Sequence, residues 1–121
     1  MSPKCILYVE DSPLNQHLVR AIIAPWLDVK LTTAATGAVG LAAGPCDLLM
    51  LDLNMPDMCG EEFLLRWRKL DNTKNVPIIV ISGDSLADRK EQLMALGVKH
   101  FLAKPFDVAD LEDAVNRLLP S

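Results

Sequence analysis

Five times along this chain a short apolar run gives way to a longer stretch with the period of a helix, and few folds accommodate that alternation. Residues 5–9 (CILYV), 47–51 (DLLML) and 77–81 (PIIVI) are near-continuous apolar runs, as strands covered on both faces should be. Residues 29–33 are more polar and read as an edge strand, and residues 99–103 as a last short strand. Between them lie five helical segments. Ser12 offers an N-cap with Pro13 at the first helical position, where a missing N–H costs nothing. Leu14, Leu18 and Ile22 recur every four residues, with Val19 and Ile23 beside them, until Pro25 stops the helix. Residues 36–43 form a short Ala/Gly-rich helix. Residues 60–70 place Phe63, Leu64 and Trp67 on one side. Ser85 is expected to cap a helix reaching about residue 96, with Gly97 in its C-terminal left-handed turn. Its apolar stripe is the weakest of the five. Asp107 is expected to cap a final helix whose core face is Val108, Leu111, Val115 and Leu118.

Five βα units in succession imply one parallel sheet with helices on both faces. At 121 residues this is a single domain, residues 1–121, with no repeat or linker. The net charge of −4 argues against a nucleic-acid footprint, which would be basic. No apolar stretch is long enough to span a membrane, and no secretory leader is expected. Cys5, Cys46 and Cys59 are odd in number and lack a CxxC spacing, which fits reduced thiols in a cytoplasmic protein. Cys59, close to the turn after the third strand, is the one thiol placed for a redox role, although a plain reduced thiol is the stronger expectation there too.

In a sheet of this kind ligands bind beyond the carboxyl ends of the strands. Those ends are where the apolar pattern breaks. Glu10 and Asp11 follow the first strand, Asp52 the third, Ser82 the fourth and Lys104-Pro105 the fifth. Singly, each has a plain explanation: Glu10 and Asp11 could prepare the Ser12 cap, and Lys104 could be a surface lysine. Jointly they put three carboxylates, a hydroxyl and an ammonium at one edge. Carboxylates brought that close repel unless a cation joins them, and an all-oxygen set suits Mg²⁺ better than zinc. With Lys104 as a point charge and Ser82 as a hydroxyl, the edge is shaped for a phosphoryl group, and Asp52 is the natural nucleophile.

The segments "YVEDSPLNQ", "LLMLDLNMPDMCGEEF", "PIIVISGD" and "FLAKPF" together resemble the receiver domain of two-component response regulators, over essentially the whole chain. The resemblance implies a flavodoxin-like, doubly wound (βα)5 three-layer sandwich with strand order 2-1-3-4-5. It implies that Asp52 is the phosphoacceptor and that Asp11 binds Mg²⁺ (or Mn²⁺) directly. Glu10 would act through water, and the main-chain carbonyl of Asn54 would complete the metal site. Ser82 would be the switch hydroxyl, and Lys104 would pair with the phosphoryl group, aimed by a cis bond to Pro105. Phe101 would be the switch aromatic, and Asn54 and Asp84 would tune the lifetime of the phosphorylated state. The implied partners are a histidine kinase or histidine phosphotransfer protein and a downstream protein reading the helix 4–strand 5–helix 5 surface, with neither nucleic acid nor membrane bound directly. The family often has Thr and Tyr where Ser82 and Phe101 stand.

Three other readings are weaker. An aspartyl phosphatase would need a second acidic residue where Asn54 stands. An FMN binder would need a phosphate-binding loop where Glu10 and Asp11 would repel the ligand. An interaction module indifferent to phosphorylation would not need Asp11, Asp52 and Lys104 together. No effector follows the last helix, so either a stand-alone regulator or a module of a hybrid sensor kinase is expected.

Overall fold

A computed structural model of the chain describes residues 3–26, 28–83 and 86–119. Asp84 and Ser85, both named above, lie outside the described residues. The elements run in the expected order: β1 (Lys4–Val9), α1 (Pro13–Ile23), β2 (Val29–Ala34), α2 (Gly37–Leu41), β3 (Leu48–Asp52), α3 (Gly60–Trp67), β4 (Ile78–Ser82), α4 (Lys90–Ala95), β5 (Val98–Ala103) and α5 (Val108–Leu118). The strands form one parallel sheet in the order β2-β1-β3-β4-β5. Both more polar strands, β2 and β5, are the edges, where one side of the strand has no neighbour to satisfy.

Alternation along each inner strand divides the core in two. Leu7, Val9, Leu49, Leu51 and Val80 face Phe63, Leu64 and Trp67 of α3 and Leu93 of α4. Ile6, Tyr8, Leu48, Met50, Ile79 and Ile81 face Val19 and Ile23 of α1 and Leu111, Ala114 and Val115 of α5. Every residue of β3 and β4 is buried. Removing a large side chain such as Phe63 or Trp67 from a core of this kind costs about 3–5 kcal/mol.

Four expectations are corrected. The apolar repeat of α1 does not all turn inward: Val19 and Ile23 are buried, whereas Leu14 is 75% exposed and Leu18 43%. Leu14 and Leu18 sit about a third of a turn away from the line the sheet selects. Helix α4 is shorter than expected. Arg89 occupies its N-cap position without a capping side-chain bond, its guanidinium pairing instead with the Glu61 carboxylate of α3, and residues 86–89 form a turn closed by Lys90 N–H donating to the Leu86 carbonyl at 2.8 Å. Helix α3 ends at Trp67 because Lys69 and Leu70 donate three residues back, to Arg66 and Trp67, tightening the chain out of the α form. In α5, Asp107 stands at the N-cap position but makes no cap bond, and Val108 is exposed. Other termini follow the sequence. Ser12 Oγ accepts from Asn15 N–H at 3.3 Å, and Gly97 adopts φ +101° after α4.

A candidate metal centre at the carboxyl ends of the strands

The centre is assembled by three strands that end level with one another. Strand β1 runs into Glu10, whose N–H donates to the Ala34 carbonyl at 2.8 Å and so extends the sheet by one residue. Strand β3 ends on Asp52 itself. Strand β5 delivers Lys104, whose N–H donates to the Ser82 carbonyl at 2.9 Å. The Lys104–Pro105 peptide bond is cis, as the resemblance implied.

Glu10, Asp11 and Asp52 each offer a carboxylate oxygen within 4.8 Å of the others. Asp11 is exposed, while Glu10 is 1% and Asp52 4% exposed. Lys104 stands opposite, its Nζ 2.5 Å from Glu10 Oε1 and 3.1 Å from Asp52 Oδ2. Ser82 is buried at the end of β4. Asn54 N–H donates to Asp52 Oδ1 at 3.1 Å, turning the chain back on the carboxylate immediately after β3. Phe101, half-buried on β5, has Lys90 Nζ 5.3 Å from its ring centre. The fold therefore gathers Glu10, Asp11, Asp52 and Lys104 as the sequence predicted.

The electrostatics follow from crowding. Burial, the neighbouring Glu10 carboxylate and the proton shared with it push Asp52 up to about 6, against the opposing pull of the Asn54 N–H and Lys104. Burial also works to raise Glu10, but its bonds to Asp52, Lys104 and the Ser12 N–H prevail and hold it down at about 2. For Lys104, burial works against the charged form, and the bond to Glu10 and the charge of Asp52 outweigh it, so its affinity for a proton rises. One lysine cannot neutralise three carboxylates. The oxygen-only donor set, one member open to solvent, fits a hard divalent cation.

Sequence reasoning passed over four residues that build this centre. Tyr8 Oη donates to Glu10 Oε1 at 3.0 Å, and Asn15 Nδ2 donates to the same oxygen at 3.1 Å. Gln16 Nε2 donates to the Glu10 carbonyl at 2.5 Å. Asp57 reaches from the loop after β3 to accept from the Gly37 and Ala38 N–H groups at 2.8 and 3.0 Å, fixing that loop to the start of α2. Those two bonds hold the Asp57 carboxyl below its ordinary range. Strand period alone could have flagged Tyr8, two residues before Glu10 and on its side of the sheet. Nothing local flags Asp57, because its partners lie twenty residues earlier in the chain. Cys59 is exposed at the N-cap position of α3 and makes no cap bond.

Comparison with known proteins agrees with this geometry. Residues 6–116 match the family described as response regulator receiver domain. A segment of the signal transduction histidine-protein kinase BarA of Escherichia coli K12 is 30% identical over 117 residues, covering 95% of this chain and 13% of the kinase. The receiver domain of the sensor histidine kinase PA1611 from Pseudomonas aeruginosa PAO1, crystallised with a magnesium ion in its active-site cleft, superposes with a TM-score of 0.85 at 28% identity, covering 99% of this chain and 100% of that one. The chemotaxis response regulator CheY4 of Vibrio cholerae gives 0.88 at 28% identity, over 98% of this chain and 100% of that one. With five parallel strands in the 2-1-3-4-5 order and an acidic trio facing a lysine at their carboxyl ends, the chain belongs to the response regulator receiver domain family.

Proposed function

We propose that this chain is a Mg²⁺-dependent phosphoacceptor switch in which Asp52 receives the phosphoryl group. The observation that carries the reading is the position of Asp52: buried, 3.1 Å from the Lys104 ammonium and within reach of Glu10 and Asp11. Asp11, Asp52 and the Asn54 main-chain carbonyl would hold the ion, with Glu10 acting through water, and Mn²⁺ would substitute. Bound there, the ion supplies charge neutralisation on the phosphoryl oxygens. The donor is a phosphohistidine on a histidine kinase or histidine phosphotransfer protein. An Asp52 carboxylate oxygen attacks phosphorus in line, the P–N bond breaks as the new P–O bond forms, and the departing imidazole keeps the electron pair. Lys104 follows the charge onto the phosphoryl oxygens. Water later attacks phosphorus, returning inorganic phosphate and the free carboxylate, so the state is transient.

In this reading the residues around Asp52 position and neutralise rather than exchange bonds. The Ser82 hydroxyl, at the end of the neighbouring strand, binds a phosphoryl oxygen and draws its strand end inward. Phe101 on β5 follows, and the surface of α4, β5 and α5 changes for a protein partner. As the family resemblance implies, Asn54 and Asp84 tune the lifetime of the phosphorylated state, so Asn54→Ala alters phosphate release more than it alters metal affinity.

The test is direct. With Mg²⁺ and a small phosphodonor such as acetyl phosphate, intact-mass measurement should show one phosphoryl group on the wild type and none on Asp52→Asn. No gain in the wild type, or an equal gain in the variant, overturns the reading. A second reading, a relay module within a larger sensor kinase, is favoured by the similar segment of BarA, of whose length the chain matches only 13%. On it, a histidine phosphotransfer protein should strip the phosphoryl group much faster than water does.

A further inference from the structure

The proposed chemistry uses Glu10, Asp52 and Lys104 but leaves Tyr8 without a task. Tyr8 is the one tyrosine of the chain, and it is fully buried in the middle of the sheet, where its ring packs among aliphatic side chains. An aliphatic residue would fill that role. The hydroxyl adds something further, because it donates to Glu10 Oε1, the oxygen that also holds Lys104. Asn15, from the first turn of α1, donates to the same oxygen. Lys104 is thus divided between Glu10 and Asp52, and it lies nearer to Glu10.

That division creates a cost for phosphoryl capture. A phosphoryl group on Asp52 needs the Lys104 ammonium, and moving it there takes the cation from a carboxylate that is almost wholly buried. A buried carboxylate stripped of its cation is strongly unfavourable unless other donors remain. Tyr8 and Asn15 are neutral donors anchored in β1 and α1, and neither has to move when Lys104 does. We infer that Tyr8 is a positioning residue for phosphoryl capture, its hydroxyl keeping Glu10 satisfied while Lys104 passes to the group on Asp52. The inference rests on Asp52 being the acceptor. It differs from a plain packing role in one respect: the hydroxyl matters more after Lys104 has left Glu10 than before.

Tyr8→Phe removes the hydroxyl and keeps the ring. The probe is beryllium fluoride, which occupies an aspartyl carboxylate in place of a phosphoryl group, titrated by calorimetry into protein saturated with Mg²⁺. Affinity for beryllium fluoride should fall roughly tenfold in Tyr8→Phe, the scale of one hydrogen bond to a charged group, while the Mg²⁺ affinity measured alone changes far less. Equal beryllium fluoride affinities in the two proteins overturn the inference, as does an equal loss for both ligands. A wild type that binds no beryllium fluoride overturns the reading of Asp52 instead, and with it this inference. Should Tyr8→Phe fail to fold, the wild type still decides. The ¹³Cζ resonance of its single tyrosine should shift on adding beryllium fluoride at saturating Mg²⁺, towards its position in metal-free Lys104→Met. A resonance that stays fixed overturns the inference.

Discussion

The end of β1 and the end of β3 each place a buried carboxylate at one corner of the sheet, and the protein treats the two oppositely. Glu10 accepts from Tyr8, Asn15, the Ser12 N–H and Lys104, and it is held ionised. Asp52 accepts from the Asn54 N–H and shares the far side of Lys104, and its affinity for a proton rises. Two carboxylates at similar depth therefore differ through their donors. The well-supplied one can serve as a fixed negative charge. The poorly supplied one keeps its oxygens available for a cation, a proton or phosphorus. Among the described residues Asp52 accepts from fewer donors than Glu10 does, and a nucleophile saturated with hydrogen bonds would be a weak one.

The largest test of this contrast exchanges the charge on one side. Asp52→Asn should abolish phosphoryl incorporation in intact-mass measurements, whereas Glu10→Gln should slow it and leave it detectable. Complete loss in both would remove the distinction between them. Next in size is the cation they share. Lys104→Met should lower the stability of the metal-free protein by about 3 kcal/mol, the scale for breaking a buried ion pair, as read by urea denaturation. The same substitution should tighten Mg²⁺ binding, since the competing ammonium is gone, and calorimetry reads that opposite sign.

The two ends also oppose each other in their response to pH when metal is chelated. Glu10 lies below its ordinary 4.5, so its contribution is complete above about pH 4.5 and is lost as pH falls towards 2. Asp52 lies above its ordinary 3.8. Between about pH 4 and 6 the folded protein holds a proton that the unfolded chain has released, so stability declines as pH rises through that window. Thermal midpoints across pH 2–7 should rise and then fall by a few degrees, and Asp52→Asn should abolish the fall alone. Smallest of all, Asn15→Ala should cost about 1 kcal/mol of stability in the metal-free protein, read by urea denaturation. A loss as large as that of Lys104→Met would show that Glu10 depends on α1 rather than on the lysine.

Much of this corner was legible beforehand because strand ends are marked in sequence. A carboxylate such as Asp52 directly after a buried apolar run can only be at an end, and parallel strands bring their ends together. The ionic trio, Lys104 and the hydroxyl of Ser82 followed from that rule. Other features were not legible. The α1 pattern offered two inward lines, Leu14–Leu18–Ile22 and Val19–Ile23, and both have the spacing of a helix face. The bond from Asp57 to the start of α2 joins residues that no local pattern relates. In sequence Tyr8 is one more apolar residue of a strand, and its hydroxyl gains a role only through the tertiary neighbour it meets, the Glu10 carboxylate.

Periodicity by itself determined the number and order of the elements and which residues stand at the carboxyl edge, because the burial of alternating and helical stripes is a local demand that the chain must meet wherever it folds. The tertiary structure decided which stripe of α1 turns inward, how short α4 is, and how a single ammonium is divided between two acids. Those outcomes depend on distances across the sheet, and electrostatic energy in a buried corner changes steeply over an ångström.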